Sequence, residues 1–151
     1  MDETHGDRDS AAPIHSPIAV DTLCLRGLNI QWPFSQLILM GLQTEEVRRF
    51  SFVHRGVFHA REELWIIETP SSKCASSTIK AIGGDLDIAR RPTAAQIVGT
   101  VRFDSVYQHD VNSFRETRHR HCVVEGSNYD WNGEGVRFGW RVSSVLSLIH
   151  I

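Results

Sequence analysis

Lysine is nearly missing from this chain: Lys73 and Lys80 stand against 14 arginines. Lysine-based catalysis has only these two residues to draw on, and both fall in a polar, weakly patterned stretch. Cysteine is scarce as well. Cys24, Cys74 and Cys122 are odd in number and widely spaced, which argues against a disulfide framework and for free thiols in a reducing compartment. No apolar run approaches the roughly 20 residues needed to cross a bilayer. The first residues lack the apolar core of a signal peptide. A cytoplasmic protein with no membrane contact is therefore expected.

What is present fits one domain. At 151 residues, 41% hydrophobic and 23% charged, the chain can bury a core without metal or disulfide support. The net charge of −2 is unevenly spread. Residues 1–21 carry five acids against Arg8, whereas the remaining 13 acids and 15 bases leave the body at +2. Such a body is compatible with nucleic acid without requiring it. The arginine bias matters more, because a guanidinium fork matches phosphate and carboxylate geometry. A GC-rich genome produces the same bias.

Residues 1–21 are rich in Asp, Ser, Pro and His with no apolar period, which predicts a disordered acidic tail. A domain is expected over 22–145. Residues 22–30 (TLCLRGLNI) read as a first strand broken by Gly27. Pro33 stands where a helix can start, Phe34, Leu37 and Ile38 share one helical face, and Gly41 supplies the stop. Residues 43–50 look extended. Residues 64–69 (LWIIET) are apolar on both faces, hence a central strand. Residues 70–92 predict a surface excursion with a turn or two of helix around 78–82. In 97–107, alternation points Ile97, Val101, Phe103 and Tyr107 inward. A short helix is predicted over 111–120. A last strand over 136–144 turns Val136, Phe138, Trp140 and Val142 inward, with Arg137 and Arg141 outward. Well-alternating strands with few helices predict a strand-dominated α+β domain curled into a barrel. Residues 146–151 (LSLIHI) match what the mosaic end of a transposase-based sequencing adapter encodes in frame; they are expected to be an assembly artefact and are left out of the fold reasoning.

Between Gln43 and Phe50 both faces of the predicted strand carry charge, which a half-buried strand does not tolerate. One face must meet a polar cleft or open water. Glu46 and Arg48, two residues apart, are placed for the carboxylate to hold the guanidinium toward a phosphate. A solvated edge strand guarded by charge gives the same pattern. Arg115, Arg118, His119, Arg120 and His121 form a basic cluster suited to an RNA backbone or to a solvated helix end. His119, His121 and Cys122 are too few converging ligands for zinc, so no metal and no cofactor are expected. Tyr129 and Trp131 lie in a turn-rich loop (GSNYDWNG), where rings either stack on a base or cap a barrel. Ser127 and Asp130 add polar groups there. Trp32 reads as core. His54, His59, Glu46 and Tyr129 are the candidate acid–base groups, with no spacing that identifies a mechanism.

The run over 28–55 resembles the ASCH family of the PUA-like superfamily. It carries a Q-x-P-aromatic helix start (Gln31, Trp32, Pro33, Phe34) and the positions of the signature G-x-K-x-x-E-x-R (Gly41, Gln43, Glu46, Arg48). An Arg-Gly pair (Arg55, Gly56), an IVG-V strand (Ile97, Val98, Gly99, Val101) and a closing W-x-V (Trp140, Val142) are similar too. The resemblance implies a PUA-like β-barrel with a few short helices packed outside. It also implies an arginine-lined cleft suited to RNA or a modified nucleotide, with Gln43, Glu46, Arg48, Arg49, Arg55, Tyr129 and Trp131 as its binding residues. Family members include coactivator modules, a ribonuclease and an amidohydrolase of acetylated cytidine. In the amidohydrolase branch the signature lysine is catalytic; here that position is Gln43, which is neither nucleophile nor base. Three functions are thereby implied: an RNA- or nucleotide-binding module, a small hydrolase (ribonuclease or nucleoside amidohydrolase) with Glu46 as base, or a protein-interaction module.

Overall fold

The computed structural model describes residues 24–70, 75–82 and 90–148, without the Arg55 side chain. The acidic tail and residues 149–151 lie outside this set. The elements are β1 (Gly27–Gln31), α1 (Phe34–Leu39), β2 (Glu45–Arg48), α2 (Phe52–Arg55), β3 (Leu64–Thr69), α3 (Ala75–Ile82), β4 (Gln96–Gln108), α4 (Val111–Glu116), α5 (Arg118–His121) and β5 (Phe138–Ser147). The strands form one sheet in the order β1-β3-β4-β5-β2. Only β1 and β3 run parallel; the other pairings are antiparallel. The result is an α+β domain, a curled half-barrel with short helices outside.

Curvature comes from β4, the longest strand, whose register against β5 shifts around Phe103. Such bulges bend and twist a strand, so that one sheet can wrap a core. That core gathers on Trp140, which is wholly buried. Phe50, Phe52, Phe58 and Phe103 surround its ring at 5.2–5.4 Å, and its Nε1–H donates to the Phe50 carbonyl at 3.0 Å. Leu37 and Ile38 of α1 and Leu64 and Ile66 of β3 complete it. A smaller cluster of Phe114, Val123 and Trp131 lies under the loop before β5.

The helices are short and are held by specific anchors rather than by propensity. Asp110 caps α4, accepting from the Ser113 amide at 2.7 Å, while Ser113 Oγ accepts from the Asp110 amide. Ser35 and Gln36 at the start of α1 donate to the buried Glu68 of β3, which also accepts from Gln96 at 3.0 Å.

Three expectations need correction. The first strand starts at Gly27 rather than being broken by it, since 24–26 are not in strand conformation. A Cβ at Gly27 would meet the end of the Ile67 side chain of the paired β3, which would have to shift to admit it. Ile97 is 53% exposed while Val98 is buried. The neighbours Ile66 and Ile67 pair with Gly99 and Ile97, which leaves Val98 as the extra residue of a bulge and reverses the alternation. Val136 precedes β5 and is exposed. The last strand, expected over 136–144, thus runs over Phe138–Ser147, where Leu146 and Ser147 pair with Thr100 and Gly99.

Candidate functional site

β1 and β2 are the two ends of the strand order, and the half-barrel leaves them facing across an open seam. Arg48 of β2 spans it, donating from Nη2 to the Asn29 carbonyl of β1 at 2.6 Å. A cleft of about 520 Å³ opens at this seam, lined by Asn29, Ile30 and Gln31 of β1, Glu46, Val47 and Arg48 of β2, and Asn128 and Tyr129 of the loop before β5. Gln43, Arg49, His121 and Arg137 also face it.

The cleft thus brings together five of the residues expected from the sequence: Gln43, Glu46, Arg48, Arg49 and Tyr129. Glu46 Oε1 sits 2.8 Å from Arg48 Nε, and Glu46 Oε2 accepts from Gln43 Nε2 at 3.1 Å. The other Gln43 amide hydrogen goes to the Glu45 carbonyl at 3.0 Å. With both donors engaged, the amide orientation is fixed, and Gln43 Oε1 accepts no hydrogen bond among the described residues. Burial pushes the Glu46 carboxyl up, only partly offset by the charge and hydrogen bond of Arg48 and the hydrogen bond from Gln43. Arg48 is held on a second side by the face of Trp140, 5.8 Å from its ring centroid. Tyr129 is half-buried, edge-on to Phe34 at 5.9 Å, and its hydroxyl donates to Gln31 Oε1.

Trp131 does not line this cleft. It is only 6% exposed, packs with Phe114 and Val123, and donates from Nε1 to the Glu134 carbonyl at 2.7 Å. Its visible edge faces a second cavity. Arg55 ends α2, and its side chain lies outside the described residues. His54 and His59 are exposed and away from the cleft. The basic cluster of 115–121 is dispersed. Arg118 is fixed by Asp130 at 2.8 Å, His121 is buried, and Arg115 borders the second cavity.

Sequence reasoning missed what lies behind β2. On the opposite face of that strand, Glu45 meets neither cleft nor water and is wholly buried. It pairs with His109 Nε2 at 2.7 Å and accepts from the Tyr107 hydroxyl at 2.5 Å. Burial raises the Glu45 carboxyl, but the hydrogen bonds from His109 and Tyr107 and the charges of His109 and His121 outweigh it and leave the group below its ordinary range. Tyr107 is driven up to about 12, by burial first and then by the bond to Glu45. Gly139, opposite Val47, has no room for a side chain: a Cβ would lie 2.5 Å from Glu45 Oε1 and 2.9 Å from His109 Nε2. The charged pattern of residues 45–49 was the available signal. Its partners are 62 and 64 residues away in sequence.

No family model matches the chain, and no curated protein does. Solved structures do. The chain is similar to the crystal structure of an ASCH protein from Zymomonas mobilis, with a TM-score of 0.50 and 18% identity over 79% of this chain and 68% of that one. A tyrosine-to-phenylalanine variant of the same protein aligns with a TM-score of 0.51 and 18% identity over 79% and 70%. By its architecture this is a PUA-like half-barrel. More narrowly, it has the ASCH fold.

Proposed function

We propose that the chain is an ASCH-family protein that binds RNA or a nucleotide in the seam cleft. The observation that carries this reading is the set of groups gathered in that one space. A carboxylate–guanidinium pair (Glu46 and Arg48) is fixed by Gln43 beside an aromatic ring, Tyr129, and arginines line the rim. A volume of about 520 Å³ lies within the roughly 300–1,000 Å³ of small-molecule sites. An aromatic face takes a base, and guanidinium groups take phosphate. Titrating fluorescein-labelled single-stranded RNA at about 50 and 200 mM salt tests the reading, since phosphate contacts make affinity fall steeply with salt. Absence of binding at the lower salt overturns it.

A second reading, hydrolysis with Glu46 as general base, is favoured by one observation: burial raises the basicity of this carboxyl inside the cleft. Gln43 supplies no nucleophile. Incubating RNA and acylated cytidine with the protein and with Glu46→Gln separates the two readings. Turnover that is lost in the variant supports hydrolysis, and turnover unchanged by the substitution removes Glu46 from the role.

A further inference from the structure

A second cavity of about 650 Å³ adjoins the seam cleft, and Arg49 and Arg137 line both. The register of β2 on β5 pairs Glu45 with Arg141 and Arg48 with Phe138. Arg49 follows β2 and Arg137 precedes β5 at that same end of the pair. Burial first, and then the charge of Arg49, pulls the Arg137 guanidinium below its ordinary value.

Arg26, Arg48, Arg102 and Arg118 each hold a carboxylate. Neither Arg49 nor Arg137 has one among the described residues. Arg137 is nonetheless fixed in place: its Nη1 donates to the Val136 carbonyl at 2.9 Å, and its guanidinium lies 5.8 Å from the Trp131 ring centroid. Two acids border the second cavity. Asp130 is engaged by Arg118 and by the amides of Gly126 and Trp131; Glu134 is exposed. Arg115 stands on the same wall, exposed and with no carboxylate partner among the described residues. Three arginines without carboxylates therefore follow one another from the cleft into the second cavity.

We propose that Arg49 and Arg137 seat a phosphodiester where the two cavities meet. The base on one side of that phosphate enters the cleft against Tyr129, and the strand continues past Arg115. The ligand is then a single-stranded oligonucleotide of two or more residues, not a free nucleoside. A tetrahedral phosphate presents acceptor oxygens to both guanidiniums and relieves the repulsion between them. This inference rests on the nucleotide reading of the cleft.

Isothermal titration of the four nucleosides, their 5′-monophosphates and the four homodinucleotides tests it on the full chain, alongside Arg49→Gln, Arg137→Gln and Arg115→Gln. The preferred dinucleotide is expected to bind at least about tenfold tighter than its nucleoside, with an affinity that falls as salt rises. Arg49→Gln and Arg137→Gln should each remove most of that advantage, read as the ratio of dinucleotide to nucleoside affinity in the same variant. Arg115→Gln should weaken only ligands longer than the monophosphate. A dinucleotide that binds no tighter than its nucleoside, or an advantage that survives both seam substitutions, overturns the phosphate seat while leaving the base cleft standing. Failure of every probe, oligonucleotides included, overturns the nucleotide reading itself. Melting temperatures of the variants establish that each is folded.

Discussion

Lowering the pH from 7 to 5 should cost the fold about 2 kcal/mol through one side chain, His121. This imidazole is 1% exposed. Its Nε2–H donates to the Phe114 carbonyl at 2.8 Å, and its Nδ1 accepts from the Val123 amide at 3.1 Å. The neutral ring satisfies both bonds, whereas protonation at Nδ1 turns an acceptor into a donor facing another donor. Burial first, with help from the charges of His109 and Arg118, brings the group down from 6.5 to about 4, against the opposing pull of the Phe114 carbonyl and of Glu45. Because the folded value lies below the unfolded one, the unfolded chain takes up the proton first. The stabilisation is complete above about 6.5 and is lost as the pH falls toward about 4, to a total of about 3 kcal/mol. Two neighbours titrate too. Glu46, raised, adds stability on acidification, and Glu45, lowered, loses it only below the ordinary carboxylate range. Comparison with His121→Gln, whose amide offers one donor and one acceptor, removes both contributions. Urea denaturation followed by circular dichroism at pH 7 and 5 should show the parent losing about 2 kcal/mol more than the variant. Equal losses in the two proteins would refute the argument.

Gly139→Ala should destabilise by roughly 2 kcal/mol, because the added methyl is forced against Glu45 and His109; an unchanged melting temperature contradicts this. Tyr107→Phe removes a donor to a buried carboxylate and should cost about 1–3 kcal/mol at neutral pH. The loss should shrink as the pH falls below the ordinary carboxylate range and Glu45 takes up a proton, no longer needing that bond; denaturation midpoints across an acid-to-neutral series test both parts. Arg48→Ala strips Glu46 of its cation and Asn29 of a donor. With Arg48 partly exposed, the cost should be about 1–2 kcal/mol. The cost should shrink as the pH falls and the Glu46 carboxyl, already raised by burial, takes up a proton; a pH-independent loss in urea denaturation counts against the pairing.

β3 was legible because LWIIET is apolar on both faces, and the strand lies inside the sheet between β1 and β4. The limits of α1 followed from Pro33 and from Gly41, which adopts a φ of 74°. Glu46, Arg48 and Tyr129, which line one cleft, could be singled out because short spacing and loop chemistry are local properties. The face of Ile97 was not legible, because a bulge is a property of two paired strands rather than of one. The Glu45, Tyr107 and His109 cluster was hidden for a related reason. Charge on both sides of β2 announced that something polar had to lie behind it, but its identity depends on how β5 sets β2 beside β4. The ambiguity at Trp131 was one of exposure, which the sequence of a turn-rich loop leaves open.

A barrel closed by strand pairing opens only when a whole row of backbone bonds lets go together. Here, among the described residues, the Arg48 guanidinium bridges the gap between the outermost strands, and the same arginine neutralises Glu46. An anion that takes up this guanidinium therefore competes for it with the Asn29 carbonyl, so that the same group that would hold a ligand also ties the two sheet margins.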